Sequence, residues 1–210
     1  MRNAALAFWV SVLLLAVLSY GGYSAFNYFQ RAAEASDGAG YGPIDTGGGT
    51  AQPFKLTDQA GNEWDSKQME GKVWVASFFF ASCPQICFQL NQALAKLQED
   101  PRFKDVKFVS ITCDPENDRP PVLTEYAKKF AADHSRWTFL TGDLETVTKV
   151  GEDLKITVLK QTHSDRLILI DRNGEIRGRF RGTVDDQVEL VKKTLVKLLD
   201  EPVKPVVETK

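Results

Sequence analysis

Cysteine and histidine are scarce in this chain, with three cysteines and two histidines among 210 residues. Three cysteines are too few for the disulfide framework that holds small secreted domains together, and an odd thiol needs its own role. Excess positive charge is also missing. There are 26 Lys and Arg against 28 Asp and Glu, for a net charge of -2. No basic stripe is present for nucleic acid, so a polyanion-binding surface is not expected. No internal repeat is visible. What remains is a chain that is 43% hydrophobic, long enough for one packed domain plus appendages.

Charge is absent altogether from Ala4 to Phe29. That stretch matches the roughly 20 apolar residues needed to cross a bilayer. Tyr20, Tyr23, Phe26, Tyr28 and Phe29 lie towards its C-terminal end, as in an interfacial belt. Residues 1–30 are therefore expected to be a membrane anchor, or else a signal peptide cleaved near Ser19–Gly21. Either one exports the rest of the chain. The charged leader is too short for a mitochondrial transit peptide, which favours a bacterial source. The expected location is the bacterial cytoplasmic membrane, single-pass, with the C-terminal domain on the periplasmic or extracytoplasmic side.

Residues 31–50 are rich in Gly, Ala and Ser and read as a flexible linker. Residues 201–210 hold two prolines without periodicity and read as a disordered tail. Between them, residues 51–200 alternate strands and helices. Pro53–Asp65 reads as a hairpin turning at Ala60-Gly61-Asn62. Lys72–Phe80 and Val106–Cys113 are near-continuous apolar runs, as in central strands covered on both faces. Helical spacing covers Pro84–Asp100, Pro120–Asp133, Asp143–Glu152 and Asp185–Asp200. A short strand falls at Trp137–Gly142, and a hairpin over Arg166–Phe180 turns at Asn173-Gly174. Right-handed crossovers put the first two core strands side by side and parallel. The expected fold is α/β: a thioredoxin-like domain with an N-terminal hairpin and an insertion before the last hairpin, plus one N-terminal transmembrane helix.

Cys83 and Cys87 stand where the first buried strand ends, the edge at which such sheets place their sites. Helical spacing would put the two thiols on one helix face, with Cα atoms roughly 6 Å apart, inside the window for a disulfide. A helix N-terminus favours thiolate, which makes Cys83 the expected nucleophile. Thioredoxin-type enzymes use two intervening residues, whereas here there are three, leaving room for an ion between the sulfurs. Soft thiolates suit Cu(I), Zn or Fe–S, and two of them need a further ligand. His163, in the loop before the last hairpin, is the candidate, the alternative being an exposed loop histidine. His134 reads as a surface residue. A structural disulfide and inert core thiols are the other possibilities for the pair. Cys113 ends the neighbouring strand and reads as a small buried residue.

"GKVWVASFFFASCPQIC", "FVSITCDPENDRPPVLTEYAKKF", "FLTG" and "THSDRLILIDRNGEIRGRF" together resemble the Sco (SenC) family, membrane-anchored copper proteins needed to assemble cytochrome c oxidase. The resemblance runs from about Pro53 to Leu199. It implies that Cys83 and Cys87 are copper thiolates and His163 the copper histidine, with copper as Cu(I) or Cu(II). It further implies action on the copper A centre of cytochrome c oxidase subunit II, with a possible thiol–disulfide role on that subunit's cysteines. Gln85 stands where the family usually has an acid, Phe88 where it has proline, Thr162 where it often has Asp, and Cys113 where it has an aliphatic residue. The first three departures leave the ligands in place, and those at Gln85 and Thr162 remove negative charge around them. The chain is thus expected to be a monomeric copper chaperone. The alternative is a thiol–disulfide oxidoreductase in which Cys83 attacks, Cys87 resolves and His163 accepts the proton.

Overall fold

The computed structural model describes residues 20–21, 41–44, 47–161 and 164–202. The chain divides into two units, 1–40 and 41–210. Of the first, only the helical pair Tyr20–Gly21 is described. Among the described residues no helix is long and apolar enough to cross a membrane. Apart from that pair, the apolar stretch Ala4–Phe29 lies outside the described residues, as do residues 203–210 of the tail.

In the second unit the elements run β1 (Gly42–Pro43), β2 (Lys55–Asp58), β3 (Glu63–Asp65), β4 (Trp74–Phe79), α1 (Ile86–Glu99), β5 (Lys107–Thr112), α2 (Pro120–Lys128), β6 (Trp137–Thr141), α3 (Leu144–Asp153), β7 (Arg166–Ile170), β8 (Ile176–Arg181) and α4 (Asp185–Asp200). They form one mixed sheet in the order β1-β8-β7-β4-β5-β6-β2-β3. The two apolar runs become β4 and β5, paired in parallel from Trp74 opposite Lys107 to Phe79 opposite Thr112. All six residues of β4 are buried, as in a central strand covered on both faces. β6 continues the parallel set, and the hairpin β7–β8 lies antiparallel against the other side of β4. The expected α/β, thioredoxin-like arrangement is present, with the N-terminal hairpin β2–β3 closing the edge beside β6.

Part of the 31–50 segment joins this sheet. Gly42 and Pro43 pair with Arg179 and Gly178, and Thr50 bridges to Glu175. Gly48 lies so close to the Ile176 carbonyl that a Cβ there would fall 2.0 Å from its oxygen. Glycine here serves close approach, which composition cannot distinguish from flexibility. The helix expected to reach Asp133 stops at Lys128, and Ala131 turns the chain with a left-handed φ of 47°. At the other end of the domain, Glu201 is held by the Arg177 guanidinium at 2.6 Å.

The core under the C-terminal half of β4 contains polar groups as well as apolar ones. Ser77 and Ser110, on adjacent strands, have their hydroxyl oxygens 3.0 Å apart. Ser110 accepts from Trp137 Nε1 at 2.9 Å and donates to Asn91 Oδ1 at 3.4 Å. Its single proton is then committed to Asn91, so Ser77 donates to Ser110. Asn91 in turn donates through Nδ2 to the Cys87 carbonyl at 2.8 Å and to the Tyr126 hydroxyl at 3.2 Å. α1, β5 and α2 are thereby fixed to one another directly beneath Cys87. Ser110→Ala leaves two donors and an acceptor without their buried partner and should destabilise the protein by about 1–3 kcal/mol. Ser77→Ala keeps the other bonds and should cost less. Urea unfolding of the two variants gives the comparison, and equal losses would show that Ser110 is not the hub.

Candidate functional site

Cys83 does not share a helix face with Cys87. α1 begins only at Ile86, with Gln85 as its N-cap and no side-chain cap from that residue. Cys83 instead sits in a turn, its amide donating to the Phe80 carbonyl at 3.1 Å. The sequence expectation is corrected at this point, because the first orphan amides of a helix need acceptors and a sulfur provides one. The Cys87 amide donates to Sγ of Cys83 at 3.3 Å. Cys83 therefore takes the place of the usual oxygen cap, and the helix N-terminus points at its sulfur. The two thiol groups are also hydrogen-bonded to each other. The three cysteines are thiols and buried, with Cys83 5% and Cys87 0% exposed. Their neighbours Ser82, Pro84, Gln85 and Phe88 are exposed, so the sulfurs lie just under the surface.

Burial raises the Cys87 thiol well above its ordinary value, and the hydrogen bond its S–H donates to the Cys83 sulfur raises it further. Burial likewise raises the Tyr126 hydroxyl, with the nearby Cys87 and Cys83 adding to the effect. Below the ordinary thiol value of about 8.5, both the folded and the unfolded chain keep the Cys87 proton, so the contribution to stability is complete. Above it the unfolded chain ionises while the folded one does not, and stability is lost as pH rises towards the folded value. The melting temperature of the reduced, metal-free protein should therefore fall between about pH 8 and about pH 10, and Cys87→Ala should flatten that fall. A melting temperature that holds or rises over this range would contradict the assignment.

Cys113 follows β5 at the same edge, fully buried, its amide donating to the Phe79 carbonyl at 2.8 Å. His134 lies elsewhere, exposed, with Nδ1 3.2 Å from Gln59 Nε2. Thr162 and His163 lie outside the described residues, and their neighbours on both sides are held. Gln161 donates its amide to the Cys113 carbonyl at 3.2 Å and its Nε2 to Asp114 Oδ2 at 2.9 Å. Asp165 accepts from Arg181 Nε and Thr183 Oγ1, both at 2.8 Å, and from the Gly182 amide at 2.6 Å. Among the described residues no three His, Cys, Asp or Glu side chains gather as a metal cluster. The structure thus brings Cys83 and Cys87 together. Sequence reasoning missed Asn91, Asp114, Asp118 and Gln161. The one signal for Asn91 was a polar residue in the apolar stripe of a helix, four positions after Cys87.

The SCO1/SenC family pattern matches residues 45–199, and the chain belongs to that family. A Bacillus subtilis protein described as a SCO1 homolog is 33% identical over 93 residues, covering 43% of this chain and 48% of that protein. The chain spans between about half and two-thirds of the length of this and a second curated relative. Among solved structures, yeast Sco1 with copper bound is 26% identical with a TM-score of 0.62, over 77% of this chain and 96% of the other. BsSco, described as having a disulfide switch and as a member of the Sco family of cytochrome c oxidase assembly proteins, is 25% identical with a TM-score of 0.64, over 75% of this chain and 99% of the other.

Proposed function

We propose that this chain is a copper chaperone that takes copper through Cys83, Cys87 and His163 and delivers it to the copper A centre of cytochrome c oxidase subunit II during assembly. The observation that carries the proposal is the cysteine turn itself. Two buried thiols share a hydrogen bond under an exposed loop, a soft donor pair whose protons a cation can displace. Copper is the cargo. The yeast relative solved with copper supports that choice of metal. Support for His163 comes from its flanks, since only Thr162 separates it from Gln161, bonded to the Cys113 carbonyl at the edge where Cys83 lies. Transfer would proceed by ligand exchange, with acceptor thiolates replacing Cys83 and Cys87 one at a time.

Thiols bind only as thiolates, and a closed disulfide uses both sulfurs. The reduced protein should bind one copper and the Cys83–Cys87 oxidised protein almost none, as measured by metal analysis after gel filtration. His163→Ala should weaken Cu(II) binding and leave the disulfide able to form. Equal copper uptake by both redox forms, or an unchanged Cu(II) affinity in His163→Ala, would defeat the chaperone assignment.

The second function is a thiol–disulfide oxidoreductase, favoured by the helix amide aimed at the Cys83 sulfur and by the disulfide switch described for BsSco. Cys83 would attack a target disulfide and release one target thiolate. Cys87 would then attack the mixed disulfide and release the other, leaving the target reduced by two electrons and this chain oxidised.

Residues 1–30 would anchor the chain in the bacterial cytoplasmic membrane and hold the domain on the extracytoplasmic side, with residues up to the start of the sheet as tether. Retention in salt-washed membranes, with the domain open to external protease, is the expected result. Recovery of a shortened soluble protein would identify a signal peptide instead.

A further inference from the structure

The loop between β5 and α2 carries two carboxylates with almost no exposure, Asp114 at 0% and Asp118 at 2%. Buried carboxylates are rare unless they are hydrogen-bonded, and both of these are. Asp118 Oδ2 accepts from the Ala81 amide at 2.8 Å and from Thr112 Oγ1 at 2.5 Å. Thr112 Oγ1 accepts from the Asp114 amide at 3.0 Å. Asp114 accepts from Asn117 Nδ2 at both oxygens, at 3.1 and 2.9 Å, and from Gln161 Nε2 at 2.9 Å. The chain of bonds therefore runs from Ala81, through Asp118, Thr112 and Asp114, to Gln161. Ala81 is two residues before Cys83, and Gln161 is two residues before His163.

Gln161 also has a left-handed φ of 53°, a conformation that a residue with a side chain adopts only when its surroundings enforce it. Its amide on the Cys113 carbonyl and its side chain on Asp114 are the two bonds that do so. A neighbouring ion pair, Lys160 Nζ to Glu116 Oε2 at 2.5 Å, is exposed and adds little.

We infer that Asp114, Asp118 and Gln161 are positioning residues, which hold the turn leading to Cys83 and the segment leading to His163 on one frame and so set the spacing of the copper donors. The inference rests on the copper assignment above. Residues that orient metal ligands from behind typically change affinity by about 10- to 100-fold when removed. Gln161 is the one to test, because its loss leaves the β5–α2 loop and the cysteine turn intact.

The test is a double-mutant cycle in the reduced full-length protein, titrated with Cu(II) and followed by sulfur-to-copper charge-transfer absorption. Gln161→Ala should weaken binding about 10-fold and shift the band. In the His163→Ala background the same change should have less than about a twofold effect, since the residue through which it acts is gone. Equal effects in both backgrounds, or no effect of Gln161→Ala alone, would overturn the inference. Amide hydrogen exchange on the metal-free protein gives a second, independent measurement. Gln161→Ala should speed exchange at residue 161 by about tenfold, as loss of a bond to a charged group implies. Unchanged exchange would overturn the clamp whatever the metal. A wild-type protein that takes up no Cu(II) would defeat the copper assignment, and with it the role in donor spacing, even where the exchange result shows that the clamp exists.

Discussion

The parallel pairing of β4 with β5 is the constraint on which the rest of the molecule depends. Its register sets Phe79 opposite Thr112, so the two strands end together and the chain leaves both at one edge. From β4 it turns into Cys83 and α1. From β5 it turns into Cys113, Asp114 and α2. A central strand of this kind is covered on both faces and β4 is buried throughout, so its hydroxyl-bearing Ser77 needs Ser110 as a partner. A one-residue slip would send Ser77 and Ser110 away from each other and from Trp137 and Asn91. The polar hub therefore reports on the register as well as stabilising it.

Three residues between the cysteines, where redox thioredoxins use two, acquire a physical meaning from the turn. With Cys83 outside the helix and Cys87 at its second position, the first sulfur can accept the second residue's amide. Both side chains then converge although they do not share a helical face. The arrangement satisfies one of the helix's orphan amides, and it holds both sulfurs just beneath exposed Ser82, Pro84 and Gln85. Burial holds Cys87 as a thiol, so a cation or an oxidant is needed to take its proton away. Both proposed chemistries, carriage of a metal and exchange of a disulfide, begin with the loss of that proton.

Much of the fold was legible because its signals are periodic. Unbroken apolar runs marked β4 and β5, helical spacing marked α1 and α4, and Asn173-Gly174 marked the β7–β8 turn, where Gly174 has a φ of 77°. The cysteine pair was legible from residue type and from its place at a strand end. What composition could not reveal is long-range. Gly42 and Gly48 looked like linker glycines, and only contact with Gly178, Arg179 and Ile176 shows that they belong to the sheet. The cap made by the Cys83 sulfur was hidden for a related reason, since the spacing suggested a helix start two residues too early. Gln161 carried no signal at all, as its partner Asp114 is 47 positions away.

The distribution of charge around the thiols follows from the same loops. The cysteine turn itself carries no acid, with Ser82 and Gln85 exposed there. Negative charge close to the site is instead buried, on Asp114 and Asp118, and committed to hydrogen bonds. Burial lifts the Asp118 carboxyl above its usual range, while the bonds from Thr112 and Ala81 pull it back. Carboxylates held this way give up solvation in exchange for fixed geometry, which suits backbone segments that must be held rather than a surface that must attract. Asp118 restrains Ala81 ahead of the sulfurs and Asp114 restrains Gln161 ahead of the histidine. In the proposed site, the order of the loops would then be set by charges that need not touch the metal.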